Sequence, residues 1–230
     1  MNGEFPALWR RPRESVHLLE VIRLRSSFVR QRTQVYNRLQ AMAHEVGLRK
    51  GIMRTTRFQN LLKEAEMNEV QRLRRSHLFR LIDSFSLQIT EIDLWLKAKA
   101  EEAAKVKLLL TQSGVGYLTA LCMVHTLGDV TRFARTRQII SKAGSRTLRY
   151  LLGQSANIAA RRDPRLKGFY KRLAKKKPKA VAKTAVARKL AVKLSIMLRD
   201  NITAEEFDAR SGCMTVDNAR TKHGLQMAVS

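Results

Sequence analysis

The sequence predicts an all-α protein: a long-helix coiled-coil region over residues 1–110, a basic helical domain with a helix-hairpin-helix-like turn over 111–207, and a disordered tail over 208–230. Three observations lead there. Eleven glycines and four prolines in 230 residues are too few for a turn-rich β architecture. Hydrophobic residues make up 44%, enough for a buried core. Apolar residues recur at three-four spacing over long stretches, the period of a helix. The charge is equally informative. Lys and Arg number 45 against 19 Asp and Glu, a formal +26 with a pI near 11.1. Like charges at that density repel unless a polyanion neutralises them, which excludes an ordinary neutral enzyme. Cys122 and Cys213 are too few for a disulfide framework or a four-ligand zinc site. No apolar run approaches the ~20 residues that cross a bilayer, and Met1–Arg13 has no signal-peptide core. The expectation is a soluble, reduced, helical protein with a polyanionic partner.

From Leu18 to Val46 one seam carries Leu18, Ile22, Arg25, Val29, Arg32, Tyr36, Leu39, Ala43 and Val46, widened by Val21, Phe28, Val35 and Met42. Two arginines stand in it, so their stems must pack while their heads snorkel or meet a carboxylate. Gly47–Gly51 breaks this helix. A second is expected from about Phe58 to Leu110, with a seam through Leu78, Ile82, Phe85, Ile89, Ile92, Leu96, Lys99, Ala103 and Val106. Neither stripe is buried by its own helix. They pack against each other or a second subunit, or serve as two core helices of one compact bundle. Ser113–Gly116 then leads into an apolar helix, Tyr117–Leu127, stopped by Gly128–Asp129. Helices follow over about 145–160, 164–175 and 179–198, the second opened by Asp163 as N-cap and Pro164 in the first turn. In the last, Val181, Ala185, Leu190, Leu194 and Leu198 read as buried, and Lys183, Arg188, Lys189 and Lys193 as exposed.

The charge is concentrated. Arg132–Arg199 holds 21 basic residues and one acid, Asp163. The run Arg161, Arg162, Arg165, Lys167, Lys171, Arg172, Lys175, Lys176, Lys177 and Lys179 would place several cations along helix faces, each able to displace a counterion from a nucleic-acid backbone. The plain alternative is a solvated face. Phe169 and Tyr170 lie inside it and read as core anchors before base-stacking platforms. Gly114–Val115–Gly116 fits a helix-hairpin-helix turn, where glycines allow a tight bend and present backbone N–H groups to a phosphate. Cys122 and His125, three apart, read as a packed thiol and a satisfied histidine, not half a metal site. The carboxylate clusters, such as Glu64, Glu66 and Glu69, read as solvated helix faces. No catalytic constellation appears.

Gly114-Val115-Gly116-Tyr117-Leu118-Thr119-Ala120, Gly128-Asp129, Arg132-Phe133, Ile140-Ser141-Lys142-Ala143-Gly144, Leu148-Arg149-Tyr150-Leu151-Leu152 and Ala182 to Leu190 stand in an order and spacing that resembles one family. It is the bacterial insertion-sequence transposases of the one-hundred-and-ten class, also labelled one-hundred-and-sixteen/nine-hundred-and-two. Trp9-Arg10, Arg23-Leu24-Arg25, Arg30-Gln31-Arg32-Thr33 and Asn37-Arg38-Leu39 look like the segment that follows that family's nuclease-like domain, so the resemblance spans roughly residues 5–200. It implies a RuvC-like domain with an Asp-Glu-Asp-Asp metal quartet in full-length members, then a coiled coil, then a helical domain with a nucleophilic serine. Such proteins recombine DNA at element ends, guided by the element's RNA.

This chain departs from that pattern. It is expected to begin after the RuvC-like domain, and the serine-bearing stretch is missing between the equivalents of Gln138 and Ile140. Ser141 matches a later Ile-Ser/Thr-Lys element, and Gln112–Ser113 replaces Ile-Pro. Both catalytic centres are therefore expected to be absent, which leaves enzymatic activity open and assigns no catalytic or metal residue. No cofactor is expected here; Mg²⁺ belongs to the full-length family. The expected nucleic-acid contacts are Gly114, Gly116, Lys142, Arg146, Arg149, Arg161, Arg162, Lys171, Arg172, Lys175, Lys176 and Lys177. The expected partners are DNA, the element's guide RNA and a second copy through the coiled coil, with no membrane, in the cytoplasm with the nucleoid. The rival reading is a non-enzymatic basic RNA-binding protein. Inverted ends in the flanking DNA, or an upstream frame encoding the acidic quartet, would favour the transposon.

Overall fold

The computed structural model describes residues 10–48, 51–130, 133 and 145–210. Within them the chain is all-α: α1 (Arg13–Glu45), α2 (Thr56–Glu64), α3 (Glu69–Glu102), α4 (Ala104–Leu110), α5 (Tyr117–Leu127), α6 (Arg146–Arg162), α7 (Pro164–Ala174) and α8 (Lys179–Asp200). Residues 204–210 are helical as well, and the rest of the expected tail, 211–230, lies outside the described residues. Among the described residues no helix is long and apolar enough to cross a membrane. The chain divides into two compact units, Glu20–Leu96 and Met1–Leu19 with Lys97–Ser230.

In the Glu20–Leu96 unit, the two apolar stripes meet within the chain. Val35, Leu39 and Ala43 of α1 share a buried cluster with Met53, Phe58 and Leu62 around α2 and with Ile82 of α3. Each large side chain buried this way contributes on the order of 1.5–3 kcal/mol. The helices run antiparallel, since Arg25 meets Asp93 while Arg32, further along α1, meets Ser86. These contacts explain the two seam arginines. Arg25 is held bidentate by Asp93, with Nη2 2.9 Å from Oδ2, and Arg32 Nη1 donates to Ser86 Oγ at 3.1 Å. Phe28 and Phe85 meet beside them with tilted rings, centroids 6.0 Å apart.

Helix α1 stops at Gly47, whose φ of 82° lets the Leu48 N–H return to the Ala43 carbonyl at 2.8 Å, a Schellman closure. The single helix expected from Phe58 to Leu110 is three. The first break falls at Asn68. Its side chain accepts from the Gln71 N–H at 2.8 Å while Gln71 Oε1 accepts from the Asn68 N–H at 3.1 Å. That reciprocal capping box starts a new helix, and Arg75 closes the old one by donating to the Leu62 and Lys63 carbonyls. Ala103, with φ −98° and ψ 108°, separates α3 from α4 with no glycine or proline to signal it. On the far side of α3 from Ile82, Ile89 and Leu96, Leu73, Leu87 and Leu94 are exposed, Leu87 to 71%.

In the other unit, α6 is the central helix. It buries Leu148, Leu151, Leu152, Ala156 and Ala159, while α8 buries Ala182, Val186, Leu190, Ala191, Leu194 and Met197. Small residues on both helices let the backbones approach closely. Helix α5 adds Ala120, Leu121, Cys122 and Met123, and Thr119 Oγ1 meets Ser155 Oγ at 2.9 Å inside the core. The α8 stripe differs from expectation at three positions. Val181 is 47% exposed, Ala185 is only half-buried, and Lys193 is buried, 6% exposed. The buried row runs through Ala182, Val186, Leu190, Lys193 and Met197, a three-four spacing that carries the lysine inward.

Candidate nucleic-acid interface

Three helix ends carry the expected cations. Arg161 and Arg162 close α6, Lys171 and Arg172 close α7, and Lys175, Lys176 and Lys177 fill the turn into α8, which opens at Lys179. All eight are exposed, and none forms an ion pair with an acid among the described residues. A folding reason exists for some of them: a cation in the last helical turn gains on the order of 0.3–1 kcal/mol from the macrodipole. That reason fails at the α7–α8 turn. There the negative end of α7 and the positive end of α8 meet, so four lysines within five residues gain little from the fold and repel one another. Arg146, in the first turn of α6, faces an opposing dipole outright. Arg149 is half-buried, and Lys142 lies outside the described residues.

Helices α7 and α8 are joined by an aromatic ring between cations. The Phe169 centroid lies 5.7 Å from the Arg172 guanidinium carbon and 4.7 Å from Lys189 Nζ. Phe169 is half-buried there, in cation–π contact with both helices. Tyr170 is half-buried too.

The two glycines have different surroundings. Gly114 adopts φ +90°, and a Cβ on it would lie 2.6 Å from the Ala159 nitrogen and 2.9 Å from the Ser155 carbonyl oxygen. The backbone of α6 therefore demands a glycine here, a packing requirement separate from the phosphate contact expected of it. Gly116 has open space around it and precedes α5 with no side-chain cap.

The expected Asp163 cap holds more than a helix. Its Oδ1 accepts from the Arg165 and Leu166 N–H groups at 2.9 and 3.0 Å, and its Oδ2 accepts from Gln112 Nε2 at 3.1 Å. Lys193 Nζ lies 3.6 Å from Oδ2. Burial pushes this carboxyl up, but the Leu166 N–H, Gln112, the Lys193 charge and the Arg165 N–H together hold it below its usual value. Because the folded state binds the proton less readily, the stability it confers is complete above the unfolded value of about 3.9 and is lost as pH falls toward the folded one. Asp163→Asn keeps a cap but removes the charge facing Lys193. We expect it to cost about 1–3 kcal/mol near neutrality, with the gap to wild type shrinking at pH 3. Melting curves at the two pH values check this; a gap that widens in acid would refute it.

Elsewhere in the unit, His125 Nδ1 meets Ser15 Oγ at 2.9 Å, and burial holds its ring below the usual value despite the charge of Glu14. Cys122 is buried. Among the described residues no three of His, Cys, Asp and Glu are grouped to hold a metal ion. Sequence reasoning left out Arg165, Lys189, Lys193 and Asp208 as a group. The signal for Lys193 was its place in the α8 stripe; Asp208, fifteen residues on, shares no period with it. No protein-family model matches the chain, and no curated protein matches it.

Proposed function

We propose that this chain is a nucleic-acid-binding protein of the insertion-sequence transposase type, acting on DNA in transposition, with the element's RNA as a second polyanion. The observation that carries the reading is the α7–α8 turn: Lys175, Lys176, Lys177 and Lys179 are exposed, lack acidic partners among the described residues, and gain little from the helix ends. Arg161, Arg162, Lys171 and Arg172 extend the surface along α6 and α7, with Arg146, Arg149, Lys142 and Gly116 as further contacts. The Gly114–Gly116 turn is the helix-hairpin-helix element of this reading, and the long α1 and α3 its coiled-coil element. A second copy docks on the exposed residues Leu73, Leu87 and Leu94, since a twofold contact needs only one self-complementary patch. The protein works in the cytoplasm, with the nucleoid. Without the family's serine-bearing stretch it binds DNA and does not join it. The same cations would serve a non-enzymatic RNA-binding protein, so the binding assay includes structured RNA.

If about six phosphates are neutralised, log K for duplex DNA falls against log salt with a slope near −5. Replacing Lys175, Lys176 and Lys177 with Gln reduces that slope by roughly 2–3 without changing helix content, and the same reactions with Mg²⁺ give no joined product. A wild-type slope near zero would end the reading. Strong binding to structured RNA with none to DNA would shift it to the rival.

A further inference from the structure

At Asn201 the chain enters the left-handed region, φ 51° and ψ 48°, and turns back from the end of α8. The start of 204–210 is tied down: the Ala204 N–H donates to Thr111 Oγ1 at 3.0 Å, and Thr203 and Glu206 form a reciprocal capping box. Its far half then lies over the groove between α7 and α8. There Asp208 offers both carboxylate oxygens to Lys193 Nζ at 2.9 Å each, and its Oδ1 lies 3.6 Å from Arg165 Nη1. Arg165 Nη2 also donates to the Asp208 carbonyl at 2.7 Å. The Phe207 ring sits 5.2 Å from Lys193 Nζ. Around these groups is a cavity of about 210 Å³, with Lys189, Val192, Leu166 and Asp163 in its wall.

Arg165 and Lys193 thus converge on one small cavity in the basic half of the chain, and Lys189, whose ammonium lies over the Phe169 ring, stands in its wall. Asp163, beneath them, caps α7, accepts from Gln112 and faces Lys193 Nζ at 3.6 Å. The other anion is Asp208, brought in from a separate segment. We infer that Arg165, Lys189 and Lys193 form a phosphate subsite for the nucleic-acid backbone, and that the Asp208 carboxylate occupies it in the free protein. A phosphodiester carries one negative charge, as the carboxylate does, so the exchange leaves the charge of the cluster unchanged and Lys193 still paired. The anchored Ala204 end keeps the segment attached while Phe207 and Asp208 swing away. Binding therefore displaces an internal competitor, and the segment sets how tightly the surface holds DNA.

This inference rests on the nucleic-acid reading, and the tests separate the two. Asp208→Ala and Asp208→Asn in the full chain are expected to tighten duplex DNA binding about tenfold at 0.1 M salt, because no charged hydrogen bond has to be broken to open the subsite, and to leave the salt slope unchanged, because the same phosphate is contacted with or without Asp208. Adding Arg165→Gln and Lys189→Gln to either variant removes the gain. In the wild-type chain, DNA increases hydrogen exchange at the Phe207 and Asp208 amides. If wild type binds but the Asp208 variants bind no tighter, or keep their gain without Arg165 and Lys189, the subsite is wrong and DNA binding stands. Added protection at Phe207 and Asp208 on binding overturns it as well. If only the Asp208 variants bind, the subsite stands and is fully blocked in the free protein. If neither binds, both readings fall.

Discussion

Ile82→Asp is expected to unfold the Glu20–Leu96 unit instead of separating subunits. The sequence places Ile82 on a seam open to a second copy, yet the side chain is only 5% exposed and shares its cluster with Val35, Leu39, Ala43, Met53, Phe58 and Leu62. Losing the apolar side chain costs about 2–5 kcal/mol. Placing an unpaired carboxylate there adds several more, or forces it to take up a proton. A domain of this size holds in total only about 5–15 kcal/mol, so the unit loses its melting transition and a large share of its helical signal. Leu87→Lys with Leu94→Lys is the contrast. These two positions are 71% and 63% exposed, so folding changes by roughly 0.5 kcal/mol or less per site, while a self-association that uses these exposed leucines is lost. Circular dichroism and sedimentation together decide. An Ile82→Asp protein that melts within a few degrees of wild type would show that the cluster does not hold the unit together.

Legibility followed local punctuation. Helix α5 matches its expected limits because Gly116 and Gly128 flank a mostly apolar segment. The start of α7 was readable because Asp163 and Pro164 combine a side-chain cap with a residue that needs no N–H at that place. Arg25 and Arg32 in the α1 seam pointed to polar partners, and Asp93 and Ser86 supply them. The break at Asn68 was missed although its signal was present: an Asn three residues before a Gln is a capping box, but the apolar period on either side favoured one long helix. The α8 error is of another kind. Val181 and Ala182 are both apolar, and adjacent helical positions differ by 100°, so a stripe started one residue early turns Val181 inward and Lys193 outward. The Arg165–Lys189–Lys193–Asp208 cluster lay beyond any periodic reading, because its anion comes from a segment that composition assigns to a tail.

Gly114→Ala is expected to destabilise the Lys97–Ser230 part of the chain by roughly 2–5 kcal/mol, independent of any nucleic acid. About 1–2 kcal/mol comes from a β-carbon at φ +90°. The rest is overpacking, about 1–3 kcal/mol, since the methyl would meet the Ala159 nitrogen at 2.6 Å, the Ser155 oxygen at 2.9 Å and the Ala159 α-carbon at 3.1 Å. These are backbone atoms of α6, so no side chain can rotate away; the helix itself must shift. That shift reaches α8, because α6 and α8 share the core of the unit, and with it Lys193 and the basic groove. Gly116→Ala separates packing from binding. Its φ of −98° is ordinary, and nothing lies within 4 Å of the added carbon, so stability changes by about 1 kcal/mol or less, mostly the poorer N-cap. DNA affinity falls in Gly116→Ala only if the N-terminus of α5 touches a phosphate. Thermal melts without DNA are read first. A Gly114→Ala protein that melts within a degree or two of wild type would mean that α6 does not approach this turn closely and that the glycine serves the turn alone.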